Sequence, residues 1–186
     1  SVKLYLNSFN NEVFNSANEV LKIIEKDLSE VCNYKVFVYF NNDNLVVNSI
    51  SEYKCIDDED VFIKNHNRNP DLLKLEESNV SERLVTHLFK SHCLCTKQPD
   101  WGSIFIEYSG KKINKASLLE YLISFYNHIG FSENCIEQIF VDVMNIAQFD
   151  SLVVFGRFLR RGGIDINPYR TSSLTLPIND IRLLWQ

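Results

Sequence analysis

The chain has 186 residues, of which 45% are hydrophobic and 23% charged, and its formal net charge is −5. This length allows one domain with a good core or two small ones, and the composition is ordinary for a soluble globular protein. The negative charge gives no general electrostatic case for direct binding of nucleic acid or of an anionic membrane. No run of residues is long and apolar enough to predict a membrane span.

The cysteines predict a reducing compartment. There are five, an odd number without regular spacing, in a chain too long to need disulfides for stability. We therefore expect reduced thiols and a cytoplasmic location. Cys93 and Cys95 do not have the spacing of a zinc-binding pair, and the histidines supply no matching second pair. No metal site is predicted.

The first 50 residues predict a strand, a helix and another strand. Alternating apolar residues predict a strand over residues 2–9, and apolar residues at helical spacing predict a helix over residues 12–31. Alternating valine and aromatic residues predict a strand over residues 34–40, followed by a turn and a short strand over residues 45–48. The candidates for the helix N-cap are Asn10, Asn11, Asn15 and Ser16.

Residues 51–79 form the most polar part of the chain and predict a connector between two modules. The acidic run at residues 57–60 lacks the spaced ligands and the glycine of a calcium loop, so a solvated segment is the better interpretation. We expect a first module that ends with this connector at residue 79. Because the chain opens without methionine directly on residues typical of a strand, we expect that module to be incomplete.

Residues 80–186 predict a complete second module. Strands are predicted over residues 80–94 and 102–109, as an antiparallel pair, with a turn at residues 110–112. Two helices follow, one capped by Asn114 and running to about residue 127, the other capped by Ser132 and running to residue 149. Strands are predicted at residues 152–159 and 174–178, separated by Gly162 and Gly163. The fold class is α+β: an antiparallel sheet with two helices on one face.

A loop between the first two strands of this module carries a thiol, Cys93, and a carboxylate, Asp100. Pro99 stiffens the chain before the carboxylate, and Trp101 is expected to form an apolar wall beside it. Residue by residue, a buried small cysteine and an aspartate in a turn are the more frequent interpretation. The alternative is a nucleophilic thiolate with a carboxylate that transfers protons. Spacing alone leaves both open.

The whole loop resembles the catalytic loop of a known enzyme family. Residues 93–103 read Cys-Leu-Cys-Thr-Lys-Gln-Pro-Asp-Trp-Gly-Ser, and they resemble the NADPH-dependent nitrile reductases, the 7-cyano-7-deazaguanine reductases of queuosine biosynthesis. Three further stretches, at residues 3–9, 131–135 and 160–170, resemble the same family in the same order. The four together span nearly the whole chain, which makes the resemblance much stronger than any one motif.

The resemblance implies two tandem tunnelling folds (T-folds), the first incomplete here, and a reductase that converts 7-cyano-7-deazaguanine to 7-aminomethyl-7-deazaguanine with NADPH. Its partner is this small deazapurine nitrile, and its link to tRNA modification is metabolic. A nitrile carbon accepts hydride poorly, and addition of a thiolate gives a more electrophilic thioimide. Cys93 matches the family's nucleophile, and Asp100 matches its proton-transfer carboxylate. The resemblance also implies a homo-oligomer, such as a dimer of tandem modules that associate edge to edge.

Two further positions match residues that bind substrate and cofactor. Glu133 matches a glutamate that accepts two hydrogen bonds from the deazaguanine edge, although it could also be no more than a favourable charge in a first helical turn. Ser132 stands where the family usually has histidine, and serine cannot carry a proton near neutral pH as histidine does. Arg160, Arg161 and Gly162 match the turn that contacts the cofactor, although an exposed basic turn is the simpler interpretation.

Two further residue expectations and two alternative functions remain. Lys3 is a further cofactor contact, and Cys135 is expected to form a reversible protective disulfide with Cys93. The alternative function is a weakened, non-catalytic module that binds a purine- or pterin-like ring through Glu133. A cyclohydrolase-like metal enzyme on the same fold is the third interpretation, against which stands the lack of a convincing set of cysteine and histidine ligands.

Overall fold

The structure, a computed structural model, describes residues 2–9, 12–39, 51–64, 66–173, 183 and 186. The chain divides into two compact units, Ser1–Val46 and Val47–Gln186. This division differs from the predicted boundary at residue 79, which stays a prediction for the modules of the family.

The described part of the first unit is helical. Helix α1 covers Val2–Ser8 and helix α2 covers Ala17–Cys32. The strand predicted over residues 2–9 is wrong: no strand among the described residues of this unit pairs with it, and a helix satisfies its own backbone groups. The hydroxyl of Tyr5 donates to Asp27 of α2 at 2.8 Å, and its ring contacts Phe9 one turn later.

Helix α2 confirms the later of the predicted starts. Ser16 is the N-cap and accepts a hydrogen bond from the backbone N–H of Glu19. Residues 34–39 are not the predicted strand, because their backbone bonds to side chains of α2. The N–H of Val36 donates to Ser29 at 2.9 Å, and the N–H of Val38 donates to Glu25 at 3.1 Å. The short strands predicted over residues 45–48 and 174–178 lie outside the described residues.

The second unit confirms the predicted α+β class. Its described residues form strands β1 (Lys54–Cys55), β2 (Leu75–Cys93), β3 (Pro99–Ile113), β4 (Ile129–Gly130), β5 (Phe149–Arg161), β6 (Ile164–Ile166) and β7 (Tyr169–Thr171), with helices α3 (Lys115–Ile123) and α4 (Ser132–Ile146). The long strands run antiparallel in the order β2-β3-β5, with β6 and β7 on β5. The short strands β1 and β4 both pair with β2 in parallel.

Side chains alternate between the two faces of the sheet. Ile104 and Ile106 of β3 lie in the main core with Leu122 of α3 and Ile136 of α4, so both helices cover the same face, as predicted. Phe105, between the two isoleucines, lies on the other face in a second, smaller apolar cluster. The two long helices therefore fix the sheet from one side and leave the strand ends for the site.

The structure differs from several predicted features of this unit, while the connector that ends at residue 79 stays a prediction. The segment predicted as a solvated connector contributes Ile56 and Leu73 to the core, and Asp57 accepts a 2.6 Å hydrogen bond from Thr86. Residues 110–112 continue β3 instead of turning, with Gly110 at a φ of 143°. Ser132 is the first residue of α4, whose N-cap is Phe131 with no side-chain hydrogen bond. The predicted cap at Asn114 is confirmed.

A buried ionic network ties the chain before β2 to the helices. Asp142 of α4 accepts hydrogen bonds from Arg68 at both carboxylate oxygens, at 2.6 and 3.0 Å. The hydroxyl of Tyr121 in α3 donates to the same carboxylate at 2.6 Å. Only 7% of the Asp142 side chain is exposed, so this network satisfies a charge inside the core.

Candidate functional site

Three long strands reach the same end of the sheet, and each contributes a candidate residue there. β2 ends at Cys93, β3 begins at Pro99, and β5 ends at Arg161. The loop between β2 and β3 is short, because the strands pair up to His92 opposite Pro99. Asp100 lies directly opposite Ser91, two residues before Cys93, so the thiol and the carboxylate belong to the same face of the sheet.

The chain reverses direction over residues 93–98, which we call the thiol turn. The backbone N–H of Cys93 donates to the carbonyl of Gln98, and the N–H of Lys97 donates to the carbonyl of Cys93, both at 2.9 Å. Lys97 has a φ of 59°, a left-handed conformation that costs energy in a residue other than glycine. The turn is therefore tight and partly strained, and other contacts must hold it.

The Cys93 thiol is half-buried, and its surroundings favour the thiolate. Hydrogen bonds from the Thr96 side chain and backbone lower the pKa of Cys93 below its ordinary value. Partial burial and the negative charge of Asp100 act in the opposite direction but do not cancel the effect. A lowered pKa increases the fraction of the nucleophilic form near neutral pH.

Asp100 is mostly buried and is held by one charged partner. Its Oδ1 lies 2.5 Å from Nη2 of Arg161, and 13% of its side chain is exposed. Among the described residues, no hydrogen bond to its second oxygen, Oδ2, accompanies this ion pair. A carboxylate held through one oxygen beside a thiol has the other oxygen available for a proton.

Arg161 contacts more of the thiol turn than any sequence argument indicated. Its Nη1 donates to Thr96 Oγ1 and to Gln98 Oε1, each at 3.2 Å. Its Nη2 donates to the carbonyl of Pro99 at 3.2 Å in addition to the ion pair with Asp100. The signal in the sequence was the pair of adjacent arginines, but nothing there said which of them would turn towards the thiol.

The neighbouring arginine and the glycines form the hairpin turn between β5 and β6. Arg160 is exposed and lies 3.6 Å from Asp165 across the hairpin, an ion pair without a hydrogen bond. Gly162 and Gly163 have φ angles of 59° and 82°, which glycine adopts without strain. The structure thus separates the two arginines that the sequence grouped as one cofactor site.

Helix α4 begins beside the thiol. β4 places Gly130 next to Cys93 in the sheet, and α4 follows at once. Glu133 is exposed in the first turn, whereas Ser132 is only 5% exposed. The negative charges of Asp100 and Glu133 both raise the pKa of the buried Cys135 thiol, so the three groups lie near one another. The predicted substrate residue and the predicted catalytic pair therefore share one end of the sheet.

Cys135 differs from Cys93 in its chemistry. It is fully buried, and burial raises its pKa to about 11. Ser91 lies beside it and lowers that pKa slightly, yet the Ser91 hydroxyl has no partner of ordinary hydrogen-bond geometry among the described residues. Both cysteines are free thiols in this structure, and their disulfide stays a prediction.

Two residues of the catalytic motif have structural roles. Trp101 does not form the expected wall beside Asp100, because neighbouring residues of a strand point to opposite faces; its ring packs edge-on against Tyr126 and lies under Lys90. Gly102 is required by packing, since a β-carbon there would lie 2.8 Å from the ring of Phe158. These positions explain part of the motif without any catalytic role.

Lys3 falls within α1, in the other unit. Among the described residues, no three histidine, cysteine, aspartate or glutamate side chains converge as a metal site would require. None of the helices in the described ranges is long and apolar enough to cross a membrane.

Comparison with known proteins gives two family matches. The family described as QueF-like protein matches residues 99–175, and the family described as the N-terminal part of nitrile reductase, 7-cyano-7-deazaguanine-reductase, matches residues 1–40. The two matches lie at opposite ends of the chain and in the order that the sequence motifs predicted.

Two curated relatives cover nearly all of the chain. An NADPH-dependent 7-cyano-7-deazaguanine reductase of Colwellia psychrerythraea is 45% identical over 94% of the chain and 64% of its own length. A protein of the same name from Hydrogenovibrio crunogenus is 46% identical over 92% of the chain and 63% of its own length. The chain thus spans slightly less than two thirds of the length of these relatives.

A solved structure is a more distant match. The crystal structure of an archaeosine synthase QueF-like protein in the apo form is 15% identical and covers 52% of this chain and 95% of its own, with a TM-score of 0.45. A likeness at this level supports no argument about the fold or the site.

Proposed function

Because the chain belongs to the NADPH-dependent 7-cyano-7-deazaguanine reductase family, we propose that the protein reduces the nitrile of 7-cyano-7-deazaguanine to 7-aminomethyl-7-deazaguanine with NADPH. The observation that carries the proposal is the Cys93 thiol, whose pKa is lowered by Thr96 and which shares one face of the sheet with Asp100. The reaction belongs to queuosine biosynthesis and needs no direct contact with nucleic acid. The free thiols of all five cysteines support a cytoplasmic location.

The first step is addition of the Cys93 sulfur to the nitrile carbon. A new S–C bond forms, one C–N π bond is broken, and the nitrogen takes a proton to give the thioimide. Asp100 is suited to take the thiol proton and pass it to nitrogen, because its Oδ2 makes no hydrogen bond among the described residues. Arg161 holds its Oδ1 in place.

Glu133 supports recognition of the deazaguanine ring. Its exposed carboxylate, in the first turn of α4, can accept hydrogen bonds from a ring N–H and an exocyclic amine. Ser132 is buried, so it contributes to packing at the helix start and leaves Glu133 as the polar group that faces the substrate. Loss of the family's histidine at this position therefore affects proton handling more than ring recognition.

The turn between β5 and β6 fits one phosphate contact of NADPH. Arg160 is 45% exposed and makes only a loose ion pair, so its guanidinium is available to an anion. Gly162 and Gly163 let a ligand approach the backbone closely. When bound, the cofactor supplies the two hydrides of the four-electron reduction. The residues of the chain bind the ring, hold the thiol turn and move protons.

We also propose the tandem T-fold arrangement and a homo-oligomer. The antiparallel strands with two helices on one face support the second T-fold over residues 80–186. Among the described residues, the outer edge of β2 pairs with β1 at Leu84 and Val85 and with β4 at His92 and Cys93, so the rest of this edge has no strand partner there. An unpaired strand edge supports edge-to-edge association.

Intact mass after incubation with the nitrile and without NADPH tests the thiol chemistry. The parent should gain the mass of the substrate, Cys93→Ala should gain nothing, and Cys95→Ala should behave as the parent, because Cys95 is exposed and outside the proposed chemistry. No adduct together with calorimetric binding of the nitrile would favour the alternative, a non-catalytic purine- or pterin-binding module. Neither adduct nor binding would contradict both.

A further inference from the structure

We propose that Arg161 is a positioning residue for the thiol: its guanidinium holds the thiol turn and Asp100 together in the arrangement from which Cys93 attacks. The inference deepens the proposed nitrile reduction and rests on it for the identity of the electrophile. It departs from the sequence-based expectation that Arg161 binds the phosphates of the cofactor.

The number of hydrogen-bond donors on the Arg161 side chain supports this assignment. A guanidinium has five N–H donors, of which four are on the two terminal nitrogens. Those nitrogens meet four acceptors here, namely Thr96 Oγ1, Gln98 Oε1, the Pro99 carbonyl and Asp100 Oδ1. Within the described residues, only the Nε–H of Arg161 remains, so this arrangement leaves no fork for a phosphate. Arg160, the exposed neighbour, is the better phosphate ligand.

The partners of Arg161 are the groups that control the thiol. Thr96 supplies the hydrogen bonds that lower the pKa of Cys93, and Gln98 accepts the backbone N–H of Cys93 at 2.9 Å. Asp100 has the opposite effect on the thiol, and the positive charge of Arg161 reduces that effect. One side chain at the end of β5 therefore fixes both the favourable and the unfavourable neighbour of Cys93.

The same clamp offsets backbone strain. The thiol turn contains Lys97 at a φ of 59°, which costs energy in a residue with a β-carbon. Two of the acceptors of Arg161 are on Thr96 and Gln98, the residues on either side of Lys97. Without the clamp, the turn can relax and Thr96 can leave the thiol.

Other titratable groups lie near this region on several elements, among them Lys97 in the thiol turn and His128 before β4. Glu133 and the thiol of Cys135 lie on α4, and Asp100 lies on β3. Among the described residues, Arg161 on β5 is the cation that contacts Asp100. A change at Arg161 should therefore alter the titration of Cys93 as well as the geometry of the turn.

The test compares Arg161→Ala, Arg161→Lys and the matched control Arg160→Ala, all in a Cys95→Ser background. The rate of iodoacetamide alkylation at Cys93, measured by peptide mass spectrometry from pH 5 to 10, reports the thiol without any substrate. We expect Arg161→Ala to move the midpoint upwards by about one pH unit, which makes alkylation about ten-fold slower below the midpoint. Arg161→Lys should fall between, because lysine keeps the charge and loses the fork. Arg160→Ala should leave the profile unchanged.

The rate of adduct formation with the nitrile and the KM for NADPH complete the experiment. Arg161→Ala should slow adduct formation at least as much as alkylation, whereas Arg160→Ala should raise the KM for NADPH. An unchanged alkylation profile in both Arg161 variants, with a raised KM for NADPH, would overturn the proposal and return Arg161 to the cofactor. If the Arg161 variants have a changed alkylation profile but the parent protein forms no nitrile adduct, the result would support the positioning role and contradict the proposed reaction. If Arg161→Ala fails to fold, Arg161→Lys alone decides.

Discussion

Two arginine–aspartate ion pairs, Arg68–Asp142 and Arg161–Asp100, have the same chemical groups but differ in how many hydrogen bonds the carboxylate accepts. In the core, Asp142 is bonded at both oxygens by Arg68 and receives a further hydrogen bond from Tyr121. At the strand ends, Asp100 is held by Arg161 through one oxygen, and the rest of the guanidinium bonds to the thiol turn. The first network is closed and stabilises the fold, whereas the second leaves Oδ2 of Asp100 without a hydrogen bond among the described residues, as the proposed proton transfer requires.

The largest expected effect tests the core pair. Asp142→Ala removes a carboxylate that is 7% exposed and leaves Arg68 and the buried Tyr121 hydroxyl without their acceptor. We expect the free energy of unfolding to fall by about 3 kcal/mol. Chemical denaturation measures it, and the alkylation profile of Cys93 in the folded variant should match the parent. A loss of less than about 1 kcal/mol would mean that this network is not closed as described.

The next effect tests the pair at the thiol. Asp100→Asn keeps the size of the side chain but cannot accept and return a proton, so formation of the nitrile adduct should slow about 100-fold. Alkylation of Cys93 should be no slower, because the charge that raises the pKa of the thiol is gone. Rapid-quench mass spectrometry measures the rate of adduct formation, and reaction with iodoacetamide measures the rate of alkylation. Equal losses in both rates would assign Asp100 a purely structural role.

A smaller effect separates the hydrogen bond from the ion pair in the core. Tyr121→Phe removes the hydroxyl that donates to Asp142 and leaves the ring and the Arg68 pair in place. The expected cost in unfolding free energy is about 1.5 kcal/mol, because the acceptor is charged and buried. Thermal and chemical unfolding should agree on this value. A cost as large as that of Asp142→Ala would show that the hydroxyl, and not the arginine, carries the network.

The smallest expected effect concerns Thr96. Thr96→Val removes the hydroxyl that lowers the pKa of Cys93, so the pKa should rise by somewhat less than one unit. Below the midpoint, less thiolate is present and alkylation should be about five-fold slower, whereas above both midpoints the two rates should converge. Thr96→Ser retains a hydroxyl and is the matched control. A slower rate at every pH would point to blocked access instead of altered ionisation.

The sequence predicted the parts of this site that depend on local order. The sequence placed Cys93 and Asp100 at one loop between two apolar strands, the resemblance implied their joint role, and the hairpin brings them to one face. The helix cap at Asn114 was found for the same reason, since a cap and its helix are adjacent in the chain. The prediction from the local sequence pattern was wrong for residues 2–9, because a few alternating apolar residues fit a strand and a short helix equally well.

The role of Arg161 could not be derived from the sequence. It lies 61 residues after Asp100, and the contact depends on the register between β3 and β5. Adjacent residues of a strand point to opposite faces, so a shift by one residue would have put Arg160 beside the thiol instead. The alternation of side chains also explains the position of Trp101. It follows Asp100 in the motif, but its side chain points to the opposite face of the strand. The register depends on packing across the sheet, so it cannot be predicted from the sequence of either strand alone.

The pairing of β5 with β3 has a consequence for the order of events during folding. β2 and β3 are joined by a short turn, so their contacts are local in sequence, whereas β5 pairs with β3 across the two intervening helices and its contacts close a longer loop. Arg161 is the last residue of that strand. The surroundings of Cys93 described here are therefore complete only when β5 has paired with β3. In a chain whose sheet is incomplete, Thr96 and Gln98 lack the hydrogen bonds from Arg161, and we expect the Cys93 thiol to ionise as in an unfolded chain.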